Sequence, residues 1–217
     1  MRIAVISDIH GDVDALRHVL AEVDRINAGQ IWCLGDIVGL GATDPAAVVD
    51  LVRDVCTITL AGNHDRWVTG QLSLSMLPLP RQRAQLQWQN RVLSDEQLAW
   101  LEALPSSARD HDVELWHGSA QDPVTGWISS PQDAADHLAR QRCPVGLVGH
   151  THQPLGATMD GSTIRYDEHP MTLDVAGDCR AVLNPGAVLR SRMWLDLDLA
   201  TRHATWHQGG GVINDSA

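Results

Sequence analysis

The chain has no phenylalanine, no lysine and a single tyrosine. Its aromatic weight rests on eight tryptophans, and all sixteen basic residues are arginine. Arginine in place of lysine reads as codon usage of a high-GC genome and carries no functional message. Acidic side chains number 27, so the formal net charge is −11. Non-specific duplex binding needs basic side chains to neutralise phosphates, so long nucleic acid is disfavoured as a partner. No stretch approaches the ~18 apolar residues of a membrane span. The apolar start at residues 3–6 is too short for a secretory signal and meets Asp8 at once, so a cytoplasmic protein with no membrane partner is expected. Cys33, Cys56, Cys143 and Cys179 show no C-x-x-C spacing and read as free thiols. That excludes a disulfide framework and a cysteine zinc site.

What is present suits one globular core: 217 residues, 44% of them hydrophobic. A single domain over 1–208 is expected, with a helical insert at about 66–104 and a loose tail at 209–217. Residues 2–8 are a short apolar run ending at a polar turn, as in a buried strand. Asp12 then caps a helix whose Val13, Leu16, Val19, Leu20, Val23 and Ile26 recur at helical spacing. Residues 30–35 read as a second strand, Thr43-Asp44-Pro45 opens a second helix, and 56–60 read as a third strand. Strand-helix-strand-helix-strand is an α/β pattern with a parallel sheet. The segment that follows is rich in Gln, Leu and Arg and is broken by Pro78 and Pro80. In it, Ser94 and Gln97 form a capping box ahead of Leu98, Leu101 and Leu104. Strands are expected at 113–116 and 145–148, around a helix at 131–141. Short strands and turns follow residue 156, among them 173–175, 181–183 and the alternating run 193–199, which predicts a half-buried antiparallel strand.

The chemistry lies at the strand ends. They carry Asp8-Ile9-His10, Gly35-Asp36, Gly62-Asn63-His64-Asp65, His117-Gly118 and Gly149-His150-Thr151-His152. In an open parallel sheet these ends lie along one edge, where ligands bind. Carboxylate, amide and imidazole groups together are the donor mix for borderline divalent cations. Asp8 and His10 are two residues apart, as are His150 and His152. On extended backbone each pair would point to one side. The adjoining glycines permit tight turns. An acidic chain can still handle phosphates when bound cations invert the local field.

In this order, S-D-I-H-G-D, G-D-I-V-G, G-N-H-D, H-G-S and G-H-T-H resemble the five motifs of the calcineurin-like metallophosphoesterases, over roughly residues 4–192. The resemblance points to the small bacterial and archaeal phosphodiesterase branch, through the extended second motif at 35–41, an insert ending Leu104-Pro105, and a late Asn184-Pro185-Gly186. It implies a four-layer αββα sandwich, two mixed β-sheets flanked by helices. It also implies two divalent metal ions. Manganese is favoured, and iron, cobalt, nickel or zinc also suit mixed nitrogen and oxygen donors. Asp8, His10, Asp36 and His152 match the ligands of one ion. Asp36, Asn63, His117 and His150 match those of the other, with Asp36 bridging. His64 matches the family's non-ligand histidine, which aids the leaving group. Asp65 either orients that imidazole or caps the next turn. A bridging hydroxide would attack phosphorus in line with the leaving oxygen, which His64 protonates. The stretch after Asn184 departs from the family pattern: Arg192 matches a phosphate-binding arginine by spacing, and Arg190 competes with it.

The expected function is a metal-dependent phosphodiesterase acting on a small soluble phosphoester. A phosphomonoesterase or nucleotide pyrophosphohydrolase is the enzymatic alternative. A non-catalytic scaffold is the alternative outside catalysis, and the complete motif set argues against it. His18, His111, His137, His169, His203 and His207 belong to no motif and read as surface or core-edge residues. Trp32, Trp116 and Trp194 read as core, and Trp88 and Trp100 as packing within the insert. Trp67 and Trp127 follow metal-site motifs closely enough to meet a substrate, although large aromatic side chains more often pack. The oligomeric state leaves no signature in the sequence.

Overall fold

The computed structural model describes residues 1–41, 43–175, 177–209 and the backbone of 211–212. The chain opens with β1 (Arg2–Ile6), α1 (Val13–Arg25), β2 (Gln30–Cys33), α2 (Pro45–Val55) and β3 (Ile58–Thr59). Asp12 caps α1 by accepting the Ala15 N–H at 3.0 Å, and Asp44 caps α2 with Pro45 in its first turn. β3 is shorter than the expected 56–60. Only Ile58 and Thr59 pair fully with β2, although the flanking N–H groups of Thr57 and Leu60 still bond to β2 carbonyls. The helical segment comprises α3 (Asn63–Val68), a 3-10 turn (Leu74–Met76), α4 (Pro80–Val92) and α5 (Asp95–Ala103). Ser94 and Gln97 form the expected capping box on α5.

The remainder is β4 (Ser107–Asp110), β5 (Val113–Trp116), α6 (Pro131–Arg140), β6 (Val145–Leu147), β7 (Pro154–Asp160), β8 (Thr163–Asp167), β9 (Thr172–Asp174), β10 (Arg180–Pro185), β11 (Met193–Asp198), β12 (His203–Gln208) and β13 (Gly211–Val212). The sequence pattern assigns no strand to β4. Its residues are polar and half exposed, and only pairing with β5 makes it a strand. The tail expected to be loose starts with β13, which pairs with β12. Residues 210 and 213–217 of that tail lie outside the described residues. No helix among the described residues is long and apolar enough to cross a membrane.

The strands form two mixed sheets. One runs β13-β12-β11-β1-β2-β3, with β9 also on β12. The other runs β4-β5-β6-β10-β7-β8. β1, β2 and β3 are mutually parallel, as are β5, β6 and β10. The metal-motif strand ends are therefore shared between two sheets rather than lined up along one. Alternation on β1 shows why the sheets stack. Ile3 and Val5 enter a core with Trp32, Leu115, Leu147, Leu183 and Trp206 from both sheets. Ala4 and Ile6 face the other way, into the core under α1, α2 and the helical segment. A third cluster packs α6 through Ala134 and Leu138 onto Val182 and Ala157. The order is helix, sheet, sheet, helix. β11 is antiparallel as expected, but it is buried on both faces. Leu195 and Leu197 enter the inter-sheet core, while Trp194 packs on the helical side with its indole N–H given to Glu22.

Candidate metal centre

The loops after β1 and β2 are zipped together. The Asp8 N–H donates to the Gly35 carbonyl at 3.0 Å, those of Ile9 and His10 to the Asp36 carbonyl at 2.9 Å, and that of Gly11 to the Ile37 carbonyl at 2.8 Å. The loop after β6 joins from the other sheet, where the His150 N–H donates to Asp8 Oδ2 at 3.1 Å. Asp8, His10, Asp36, His150 and His152 all have positive φ, between 53° and 66°. The extended backbone expected for Asp8-x-His10 and His150-x-His152 is thus absent. β1 stops at Ile6, and each donor sits on its own left-handed kink. Such residues cost ~1–2 kcal/mol each in L-amino acids and gather at functional sites.

Two groups of donor atoms result. Asp8, His10, Asp36 and His152 form one, and Asp36, His117 and His150 form the other, with ligand atoms all within 4.8 Å of one another. A single oxygen, Asp36 Oδ2, lies 3.6 Å from His10 Nε2 and 3.5 Å from His117 Nε2, and so belongs to both. Asn63 Oδ1 joins the second group at 3.0 Å from His117 Nε2. His152 Nε2 completes the first, 3.0 Å from His10 Nε2 and 3.3 Å from Asp8 Oδ1. Every site residue expected as a ligand is therefore brought to this edge.

The donor chemistry fits a divalent cation. His117 Nδ1 lies 2.9 Å from the Leu34 carbonyl and must give it a proton. Nε2 faces two oxygens, Asn63 Oδ1 and Asp36 Oδ2, an arrangement that calls for positive charge between them, either a proton on Nε2 or a cation in the proton's place. Asp8 Oδ1 is fully buried and, among the described residues, makes no well-directed hydrogen bond, although His152 Nε2 stands 3.3 Å away. Burial opposes charge on His117, yet Asp36 and Asp8 overcome it and push the imidazole up to about 9. Burial works against the Asp36 charge too, but His117 and His64 hold that carboxyl well below the usual carboxylate range. Burial lowers His10 to about 3 and His150 to about 4, which keeps both as neutral ligands.

His64 stands beside this cluster and in neither group. Its backbone N–H donates to Asp36 Oδ1 at 2.8 Å, and its ring meets His10 edge-on at 4.7 Å and Trp67 at 4.9 Å. The backbone makes room for it. A Cβ on Gly39 (φ +132°) would lie 2.5 Å from His10 Nδ1 and 2.6 Å from His64 Nδ1, and one on Gly62 would lie 2.1 Å from Asp36 Oδ1. Burial lowers the His64 pKa.

Asp65 does not orient His64. The two are consecutive in α3, and side chains at i and i+1 of a helix do not face each other. The Asp65 carboxylate instead accepts four backbone N–H groups, from Gly62 (2.8 Å), Asp36 (2.9 Å), Ile37 (3.0 Å) and Val38 (3.1 Å). It is the buried peg that fixes the Asp36 loop and caps α3. Two further pegs lie outside the donor motifs. Gln89 of α4 accepts the Gly39 N–H at 2.8 Å and donates to the Gly39 carbonyl. A polar residue three after buried Leu86, on the core face of a helix, is the signal that could have revealed it. Asn184 donates to the Gly149 carbonyl at 2.7 Å and to Thr151 Oγ1 at 3.1 Å, so it holds the His150–His152 loop.

The two arginines are placed outside the donor groups. Arg190 and Arg192 are exposed, and neither pairs with a cluster carboxylate. Arg192 packs along Gly209. Arg190 follows Leu189, whose N–H bonds to the Asp8 carbonyl at 3.0 Å. Of the two flagged tryptophans, Trp67 packs on His64, whereas Trp127 is 55% exposed and meets His150 edge-on at 4.7 Å.

Similarity to known proteins agrees with this geometry. A family model described as the calcineurin-like phosphoesterase superfamily domain matches residues 1–200. An uncharacterised protein of Methanocaldococcus jannaschii is 34% identical over 194 residues, covering 88% of this chain and 77% of that protein. The crystal structure of a metallophosphoesterase from Sphaerobacter thermophilus aligns with a TM-score of 0.83 at 33% identity, over 97% of this chain and 89% of that one. A hypothetical protein of Pyrococcus horikoshii OT3 shares the fold, with a TM-score of 0.76 at 17% identity, over 97% and 88% of the two chains.

Proposed function

The chain belongs to the calcineurin-like phosphoesterase superfamily, and on that premise we propose that it is a phosphodiesterase using two divalent cations on a small soluble ester. The observation that carries this reading is Asp36 Oδ2, equidistant within 0.1 Å from a histidine of each donor group, 3.6 and 3.5 Å. Asp8, His10, Asp36 and His152 would hold one cation, and Asp36, Asn63, His117 and His150 the other. Bound there, the cations supply an activated water and neutralise the phosphoryl oxygens.

The protein's own part is positioning and proton handling. Asp65, Gln89 and Asn184 fix the loops that carry the donors. His64, outside both groups, donates a proton or a hydrogen bond to the leaving oxygen. Charge favours a diester. Two divalent ions bring +4 against −2 from Asp8 and Asp36. A hydroxide nucleophile and a singly charged diester cancel the remaining +2. A monoester dianion leaves negative charge in excess, with no arginine among the described residues paired into the cluster. The intact donor set also speaks against a purely structural role. Manganese is the ion we assign first, by the family resemblance alone, since the mixed nitrogen and oxygen donors suit iron, cobalt, nickel or zinc equally. Free Cys33, Cys56, Cys143 and Cys179 suit the reducing cytoplasm.

The test is chelator-treated protein reloaded with each metal and offered bis-p-nitrophenyl phosphate and p-nitrophenyl phosphate. The diester should be preferred by at least about tenfold in kcat/KM. Preference for the monoester contradicts the diester reading, and turnover insensitive to chelation contradicts the metal one.

A further inference from the structure

Beside the donor groups lies a cavity of about 270 Å³ that the hydrolytic reading leaves unused. Trp127 and Tyr166 line it, with Ser129, Thr151, Gln153 and Glu168. Resting on the proposed phosphodiesterase activity, we propose that this cavity holds the base of a nucleoside esterified to the scissile phosphate, with the base stacked on Trp127.

Three observations support it. The cavity is continuous with the metal-site loop: Thr151 lies between His150 and His152, and Trp127 packs edge-on against His150. The T-shaped contact leaves at least one indole face clear of His150, and Trp127 is 55% exposed, costly for a tryptophan without a ligand.

The second observation is the stiffness of the loop that carries Trp127. The Asp122 carboxylate accepts the N–H groups of Val124 (3.2 Å) and Thr125 (3.0 Å), and the Asp122 carbonyl accepts those of Ser119 (2.8 Å) and Gly126 (3.1 Å). Gly118 N–H closes the turn on the Pro123 carbonyl at 2.8 Å. A braced aromatic platform loses little freedom when a ring stacks on it.

The third observation is the character of the polar rim. Glu168 lines the cavity with Tyr166, whose pKa is raised by burial first and by Glu168 next. A carboxylate repels a second phosphate and accepts N–H groups, which suits an amino-bearing base. The volume is just below the ~300–1,000 Å³ of small-molecule sites, so it admits one ring system and not a polymer. His64 and Trp127 touch different donor groups, through His10 and His150. The arm that reaches Trp127 is therefore the one retained when the bond beside His64 breaks.

The experiment uses three diesters with one leaving group: the p-nitrophenyl esters of adenosine 5′-phosphate, methyl phosphate and benzyl phosphate. Each is hydrolysed at the P–O bond to p-nitrophenolate. In the parent protein the adenosyl ester should have the highest kcat/KM. Trp127→Ala should lower the adenosyl-to-methyl ratio by about tenfold or more, the scale of losing one base–aromatic stack, chiefly through KM. Trp127→Phe should restore most of it. Any disturbance of His150 scales all three esters alike and leaves the ratio unmoved. An unchanged ratio in Trp127→Ala overturns the proposal while leaving the phosphodiesterase reading intact. A benzyl ester outrunning the adenosyl ester in the parent overturns the nucleoside assignment. Hydrolysis of none of the three contradicts the phosphodiesterase reading on which it rests.

Discussion

The floor of the site and its mouth are built differently. On the floor, Asp8, His10, Asp36, Asn63 and His117 are at most 3% exposed, and their loops are pinned by Asp65 and Gln89. At the mouth, His152 is 30% exposed, Trp127 stands in solvent, and Arg190 and Arg192 lie at the surface without an ion pair to the cluster. Floor geometry is over-determined by hydrogen bonds in low dielectric, where positioned charges act strongly. At the mouth the Trp127 loop is braced by Asp122, but its side chain faces solvent, open to a substrate. Changes on the floor should therefore abolish chemistry or metal binding, and changes at the mouth should redistribute preference among substrates.

The largest effect is expected at Asp36. Asp36→Asn removes the charge shared by both donor groups, several kcal/mol of transition-state stabilisation, or about 10³-fold or more in kcat. The backbone pins from Asp65 remain, so circular dichroism should show an unchanged fold. Turnover within tenfold of the parent would erase the contrast between floor and mouth.

His64 comes next. His64→Ala should keep the metal complement and lose roughly 10²–10⁴-fold in turnover. Diesters matched except for leaving-group pKa separate two roles. A proton donor matters most for a poor alkoxide leaving group, whereas a hydrogen bond to the phosphoryl oxygen gives equal losses. Equal losses reject the proton-donor role, and lost metal rejects the placement of His64 outside both donor groups.

Gln89 tests the floor away from the donors. Gln89→Leu strands the buried N–H and carbonyl of Gly39, at about 1–3 kcal/mol each. The melting temperature should fall by roughly 5–15 °C, and Mn²⁺ affinity should weaken because Gly39 abuts the rings of His10 and His64. Unchanged melting would show that the Gly39 loop does not depend on this side chain.

The motif chemistry was legible because each donor lies within three residues of a glycine in a short run at a strand end. The sandwich was legible through the family resemblance; the apolar runs of β1 and β2 mark buried strands, but nothing in them says that alternate residues enter two different cores. The left-handed backbone of Asp8 and His10 was not, because hydrophobic periodicity ends at Ile6 and says nothing of φ beyond it. Asp65 was left between orienting His64 and capping the next turn, and it takes the capping role, because a helix turns sequence neighbours about 100° apart. Gln89 contacts Gly39 across 50 residues, and no local pattern encodes such a contact.

A smaller effect is expected at a histidine outside both donor groups. His137 accepts the Ala120 N–H at 3.0 Å and packs edge-on against Trp116 at 4.9 Å. Burial lowers it to about 4, against about 6.5 in an unfolded chain. As pH falls, the unfolded chain takes up the proton first. This residue leaves stability unchanged above about pH 7 and reduces it between about pH 6.5 and 4, by about 3 kcal/mol in all. Urea unfolding of the parent and His137→Gln across that range should give a flatter profile for the variant. Parallel profiles would mean that His137 is not held neutral.

The central claim is two cation sites joined at one carboxylate, and calorimetric titration of chelator-treated protein with Mn²⁺ tests it most directly. The parent should bind two ions per chain. Asp8→Asn and His117→Ala should each weaken one site, and Asp36→Asn should weaken both. Two ions bound by Asp36→Asn at parental affinity, or a single ion bound by the parent, would contradict the shared site.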